Sequence, residues 1–209
     1  MKHRTKSFLR REEYKALAEL SIDGSILDVG GSRKSGYHEL IGGVHTITTG
    51  NIDESYGIDV VFDAEKPWPF KEASFDGVLL MNILEHLYQY EVALDETARV
   101  LKPGGIVAGV VPFVFNVHGS PNDYFRYTRA TLERLFAERG FSRVEVRELG
   151  TGAFSVAYHA FIGFARFQWM ADSGIGIARF LDGLVLKLKP DNKMSAKQMP
   201  LGYYFTAIR

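Results

Sequence analysis

The sequence predicts an open, mostly parallel α/β sheet with helices on both faces. Three observations carry that prediction. Short apolar runs alternate with helix-like runs along most of the chain, the pattern of strand–helix–strand units. The run Ile106–Val111 (IVAGVV) is apolar throughout, as expected of a strand covered on both faces. The first apolar run ends in Asp28-Val29-Gly30-Gly31, a turn of the kind that meets ligands beyond the carboxyl ends of such strands.

Taken in order, Ser7–Leu20 reads as an amphipathic helix, with Phe8, Tyr14, Leu17 and Leu20 at near-helical spacing. Strands follow at Ile26–Val29, Val44–Thr49, Ile58–Phe62 and Phe75–Met81. Only about a dozen residues separate Ser32 from the second strand, so the helix between them must be short. A helix over Tyr90–Leu101 runs into Lys102-Pro103-Gly104-Gly105, a helix-end and turn signal. The strand Ile106–Val111 comes next. Thr128 is a good N-cap for a helix over Arg129–Arg139, which Gly140 ends. Arg143–Leu149 alternates polar and apolar residues like a more exposed strand. Ala153–Leu188, rich in aromatics, breaks the rhythm as one or two inserted helices before a last strand at Leu201–Ile208. The organisation expected is one domain: an N-terminal helix (1–22), a core (23–150), a helical insertion or lid (151–190) and the final strand (191–209).

Composition narrows the function classes. The chain has 209 residues, 46% apolar and 24% charged, ordinary for a globular domain with a real core. Lys plus Arg and Asp plus Glu are equal at 25 each, so no basic excess points to nucleic acid. There is no cysteine, which excludes disulfides, thiolate metal sites and cysteine nucleophiles. The basic N-terminal run lacks the apolar core of a signal peptide, and a cytoplasmic location is the default. No Asp/His cluster has convincing metal spacing, so no metal is expected.

The glycine turn is neither a G-x-x-x-x-G-K-[ST] phosphate loop nor G-x-G-x-x-G. Asp28 at the strand end would repel a pyrophosphate and suits a cationic ligand. The missing dinucleotide fingerprint argues against a nicotinamide-dependent dehydrogenase.

Three stretches together resemble the class I S-adenosylmethionine-dependent methyltransferases, especially the broad type 11 group. ILDVGGS is similar to the family's first motif, with Ser32 in the last glycine place. FDAEKPWPFKEASFDGVLLMNILEHL resembles the run into its fourth strand. EVALDETARVLKPGGIVAGVVPF resembles its helix, turn and fifth strand. The resemblance covers residues 25 to 142 and implies a seven-stranded Rossmann-like sheet, with S-adenosyl-L-methionine as cofactor. It further implies that Asp28 holds the methionine ammonium, directly or through water, while Gly30 and Gly31 let the backbone approach. Asp63 then takes the adenine amino group, with the Ala64 amide nearby, and Asn82 lines the cofactor. Asn51 stands where the family has an acid gripping the ribose hydroxyls, with Asp53 two residues on. An amide oxygen accepts more weakly than a carboxylate, so Asn51→Asp is expected to tighten cofactor binding.

The acceptor side is expected in VPFVFNVHGSPNDYFRYT, Val111 to Thr128, which follows the fifth strand. His118 is the candidate base, its ordinary pKa lying near neutrality. Tyr124 and Arg126 are candidate substrate contacts, together with His86 after the fourth strand. Asp123 and Arg126 pairing to brace the loop is the competing reading. A small-molecule acceptor fits: a sugar, a lipid-linked intermediate or a natural-product precursor. The inserted helices read best as a lid of core-like helices. The alternatives are a homodimer face or a peripheral membrane contact through 153–188, with Arg166, Asp172 and the glycines arguing against a spanning helix. The alternative to an enzyme is a catalytically inactive methyltransferase-fold binding or scaffold protein, which Ser32 and Asn51 favour.

Overall fold

A computed structural model of the chain describes residues 7–119, 121–161, 167–189 and 194–209. Its strands are β1 Gly24–Val29, β2 His45–Asn51, β3 Val60–Val61, β4 Phe75–Met81, β5 Leu101–Pro112, β6 Ser142–Leu149 and β7 Gly202–Ile208. They form one sheet in the order β3-β2-β1-β4-β5-β7-β6. The pairs from β3 across to β5 are parallel, and β7 lies antiparallel between β5 and β6. The chain thus winds outward from β1 to β3 and returns beside β1 with β4. That reversal opens a crevice at the carboxyl ends of β1 and β4.

Alternation along the central strands feeds two cores. Leu27, Val29, Val78 and Leu80 face one side, where helices α2 (Tyr90–Val100) and α3 (Arg129–Ala137) cover them. Ile26, Leu79 and Met81 face the other, under α1 (Phe8–Leu17) and residues Ile175 and Ala178 of α5 (Gln168–Leu188). Helix starts are capped by short polar side chains: the Ser7 hydroxyl accepts from the Arg10 N–H at 3.1 Å, and Thr128 Oγ1 from the Thr131 N–H at 3.2 Å. Between Ser32 and β2 the only helical turn is His38–Leu40, shorter than a regular helix, as the spacing demands.

Two expectations change. Lys102–Gly105 is not a turn between helix and strand. β5 begins at Leu101, and its register with β4 jumps from Phe75↔Leu101 to Gly77↔Ile106, so Lys-Pro-Gly-Gly is a bulge within the strand. Asp76 holds Lys102 Nζ at 2.8 Å, and Arg209 exchanges backbone bonds with Gly104 and Gly105, which keeps the bulge on the sheet. The third strand shrinks to Val60–Val61 because it is the sheet edge and has one neighbour. β2 instead runs two residues further than expected, to Asn51.

The insertion before β7 is two helices, α4 (Ala153–Phe161) and α5; residues 162–166, including Arg166, and 190–193 lie outside the described residues. Asp182 of α5 joins them. Its carboxylate accepts from the Thr151 hydroxyl at 2.7 Å and from the Phe154 and Ser155 N–H groups at 2.9 and 3.0 Å. A stripe of Ile177, Phe180, Leu184 and Leu188 on α5 stays exposed, at spacings that share a helix face. No described helix is long and apolar enough to cross a membrane.

Candidate functional site

A cavity of about 570 Å³ lies in the crevice beyond β1 and β4, within the range of small-molecule sites. Its walls come from four places: the end of β1 with Gly30, the end of β2 with Asn51 to Asp53, the segment Phe62 to Glu65, and Asn82, Ile83, His86 and Leu87 after β4. Pro121 and Asn122 close it from the loop after β5. Three acids, Asp53, Asp63 and Glu65, line it, and among the described residues no Lys or Arg does. Such a wall favours a cation.

Asp28 lies beneath the glycine loop rather than on the cavity wall. It is fully buried and accepts from the Tyr37 hydroxyl at 2.8 Å, with His38 Nε2 at 2.6 Å from the same oxygen, Oδ2. Its other oxygen, Oδ1, is buried without a partner. Burial pushes its carboxyl up from the usual range, against the His38 and Tyr37 hydrogen bonds. Gly31 is the residue that makes room: a Cβ there would stand 1.8 Å from Asp28 Oδ2. Gly31 itself is absent from the wall. Gly30 is on it, has φ +79°, and sits so close to Ile83 that a Cβ would lie 2.7 Å from Cδ1.

Asn51 is a tie within the protein. Its Nδ2 donates to the Gly30 carbonyl at 2.8 Å and the Gly31 carbonyl at 3.3 Å, and its Oδ1 accepts from the Asp53 N–H at 3.3 Å. A carboxylate has no hydrogen to donate to those carbonyls. An amide therefore suits this loop better than a carboxylate, and Asn51→Asp is expected to weaken binding rather than tighten it. Asp53 caps the turn Glu54–Tyr56 through the Ser55 N–H and remains on the wall.

Asp63 and Ala64 line the cavity. Burial opposes the charged form of Asp63, but the Glu65 N–H and Lys66 outweigh it and hold the carboxyl below its usual range. Trp68 packs beneath, buried, its ring nitrogen donating to the Ala64 carbonyl at 3.2 Å.

Asn82 has φ 52° and donates through Nδ2 to Glu13 Oε1 at 3.3 Å. Glu13 of α1 is a site residue that sequence reasoning missed. It is buried, and burial raises its carboxyl above the usual range. Its position was a signal: a charged residue in the buried stripe of Leu9, Ala16 and Leu17.

On the acceptor side, the loop Asn122–Tyr127 straps the turn Leu84–His86. The Tyr124 N–H donates to the Glu85 carbonyl at 2.8 Å and the Tyr127 hydroxyl to the Leu84 carbonyl at 3.1 Å. Arg126 pairs with both oxygens of Asp123, so it braces this loop, and Tyr124 is half exposed against Tyr88. Neither reaches the cavity wall. Asp123 also accepts from the His118 N–H at 2.9 Å and lies 3.4 Å from its Nδ1. His118 stands edge-on to His86 at 5.0 Å between ring centres, and His86 is on the wall. Beside them the Glu85 side chain is fully buried with both oxygens lacking a hydrogen-bond partner. Burial pushes that carboxyl up to about 8. α4 touches this side through His159, which stacks on Phe115, itself against His118.

Residues 47–109 match a family model described as "Methyltransferase domain". Solved structures share the fold. One is an S-adenosylmethionine-dependent methyltransferase from Thermotoga maritima, 17% identical, TM-score 0.61, the alignment covering 97% of this chain and 89% of that one. A second is phosphoethanolamine N-methyltransferase 2 of Haemonchus contortus in complex with S-adenosyl-L-methionine, 16% identical, TM-score 0.55, covering 94% and 52%. This chain therefore spans about half the length of that enzyme. A third is 1,6-didemethyltoxoflavin-N1-methyltransferase of Burkholderia thailandensis with bound S-adenosylhomocysteine, 16% identical, TM-score 0.54, covering 97% and 78%.

Proposed function

We propose that this chain, which carries a methyltransferase domain in the class I S-adenosylmethionine-dependent methyltransferase fold, binds S-adenosyl-L-methionine and transfers its methyl group to a small-molecule acceptor. The observation that carries the reading is the cavity at the β1/β4 crevice, lined by three acids and, among the described residues, by no Lys or Arg. It suits a nucleoside that bears both a sulfonium and an ammonium group.

The residues present fit that group. Asp28 Oδ1, buried and unpartnered, is the acceptor available for an ammonium, directly or through a water. Gly30 exposes backbone at the β1 end. Asp53, beside Asn51, is the carboxylate on the ribose side, with Oδ1 capping the Ser55 N–H, and Asp63 with Ala64 forms the adenine end. Asn82, held by Glu13, lines the reacting end. Bound there, the cofactor supplies an activated methyl carbon and a good thioether leaving group. The chain's own task is to align the acceptor for in-line attack and to receive its proton. His86 and His118 flank that approach, and His118, oriented by Asp123, is the candidate base.

The hydrogen bonds from the Asn51 amide to the Gly30 and Gly31 carbonyls support the enzyme reading over the scaffold alternative, because they give an amide at this position a structural use. Calorimetric titration with S-adenosylmethionine and S-adenosylhomocysteine tests the proposal. Binding of both at micromolar concentration supports it; no heat from either at high micromolar concentration overturns it.

A further inference from the structure

Glu85, His86 and His118 each offer one ligand atom, the three atoms lying within 4.8 Å of one another. His86 Nε2 is 3.7 Å from Glu85 Oε1. The set is two imidazoles and one carboxylate. Sequence spacing concealed it, since His118 lies on a different loop from the other two.

The surroundings prepare these side chains as ligands. His86 Nδ1 is bonded to the Asn122 carbonyl. A carbonyl only accepts, so a proton sits on Nδ1, and in the neutral ring the lone pair is on Nε2, the nitrogen nearer Glu85. His118 is held alike: its Nδ1 is 3.2 Å from the Asn116 carbonyl and 3.4 Å from Asp123 Oδ2, leaving Nε2 with its lone pair. Imidazoles whose far nitrogen donates to a carbonyl or carboxylate are the usual supports of metal-bound histidine. Glu85 adds the independent observation, as a fully buried carboxylate with neither oxygen hydrogen-bonded. A buried carboxylate without a partner is costly, and a cation would relieve it. Asp123 is committed to Arg126 and to the His118 backbone, so it orients the site.

We propose that Glu85, His86 and His118 form a binding site for a divalent transition-metal ion at the acceptor edge of the cavity. Two imidazoles and a carboxylate favour Zn²⁺, Co²⁺ or Fe²⁺ over the oxygen-preferring Mg²⁺ and Ca²⁺, and three protein ligands leave positions open. Because His86 is on the cavity wall, an ion held there would favour an acceptor with a metal-binding oxygen. His118 then serves as a ligand in place of a base. Only this catalytic relevance rests on the methyltransferase reading; the site stands on its own geometry.

The test uses the untagged full chain. Zn²⁺ is titrated calorimetrically and Co²⁺ by its visible absorption, alongside S-adenosylhomocysteine on the same samples. One equivalent of Zn²⁺ is expected, with affinity at least about tenfold weaker in both Glu85→Gln and His118→Ala and unchanged in His45→Ala. Circular dichroism reports folding, and His118, being partly exposed, supplies a variant that keeps its fold. No stoichiometric Zn²⁺ binding, or equal binding by both site variants, overturns the proposal. Nucleoside binding without metal binding defeats this inference alone, and metal binding without nucleoside binding defeats only the proposed function.

Discussion

The Asn51 side-chain amide donates to the Gly30 carbonyl at 2.8 Å and ties the end of β2 to the loop that ends β1. A neighbouring backbone bond, from the Gly30 N–H to the Gly50 carbonyl at 2.7 Å, runs the opposite way. The two strand ends that frame the cavity are therefore locked to each other.

Asn51→Asp is expected to weaken cofactor binding. It removes the donor and sets a negative charge against two carbonyl oxygens. A lost hydrogen bond with unpaired partners costs about 1–3 kcal/mol. If half of that reaches the cavity, S-adenosylhomocysteine binding falls about two- to tenfold. Calorimetric titration of the variant decides the matter. Tighter binding would show that residue 51 meets the ribose and that its amide is replaceable.

How much of this was legible in the sequence depends on distance along the chain. The strands at Phe75–Met81 and around Ile26–Val29 were plain because an apolar run needs no partner to be recognised. Thr128 announced its helix by local capping chemistry. The bulge at Lys102–Gly105 was hidden because Pro and Gly signal a break whether it falls between elements or inside one. Asn51 looked like a defect because its partners, the Gly30 and Gly31 carbonyls, are backbone atoms about twenty residues away. Glu13 meets Asn82 across 69 residues, and only its place in an apolar helix stripe hinted at burial.

Gly31→Ala is expected to destabilise the protein and to impair cofactor binding together. The backbone at Gly31 is not in the left-handed region, so conformation is no obstacle. The obstacle is the Asp28 carboxylate 1.8 Å from the new Cβ. Asp28 must then leave Tyr37 and His38, or the loop must lift. Overpacking of this kind costs about 1–3 kcal/mol, a fall in Tm of about 3–10 °C for a chain of this size. An unchanged Tm with unchanged affinity would show that the loop moves freely.

Asp182→Ala separates the helical insertion from the site. It leaves the Phe154 and Ser155 N–H groups and the Thr151 hydroxyl without their acceptor. A loss of about 2–4 kcal/mol is expected from the unsatisfied donors. No residue of α4 or α5 lines the cavity, so S-adenosylhomocysteine affinity should hold at temperatures where the variant is folded. Hydrogen exchange should rise in α4 and α5 and not in β1 or β4. Exchange that rises equally in β1 and β4 would mean that the insertion and the core unfold as one unit.

Acid should destabilise the chain through Asp59 and Asp76. Asp59 is held down to about 2 by the Thr49 N–H, Arg33 and the Thr49 hydroxyl, and Asp76 to about 2 by Lys102 and the Ser25 N–H. Both folded values lie below the ordinary 3.8. Their contribution is therefore fully present above about pH 4 and is lost as the pH falls toward about 2. Each carboxylate is about a third exposed, so solvent screening reduces the contribution to about 1 kcal/mol apiece. Denaturant midpoints measured over this window should fall with pH. Asp76→Asn should be less stable than the parent near neutrality and converge with it near pH 2, because protonation removes the same charge the substitution removes. Parallel curves for the two proteins across the window would mean that the Lys102–Asp76 pair contributes nothing to folding and that the bulge in β5 is held by Arg209 alone.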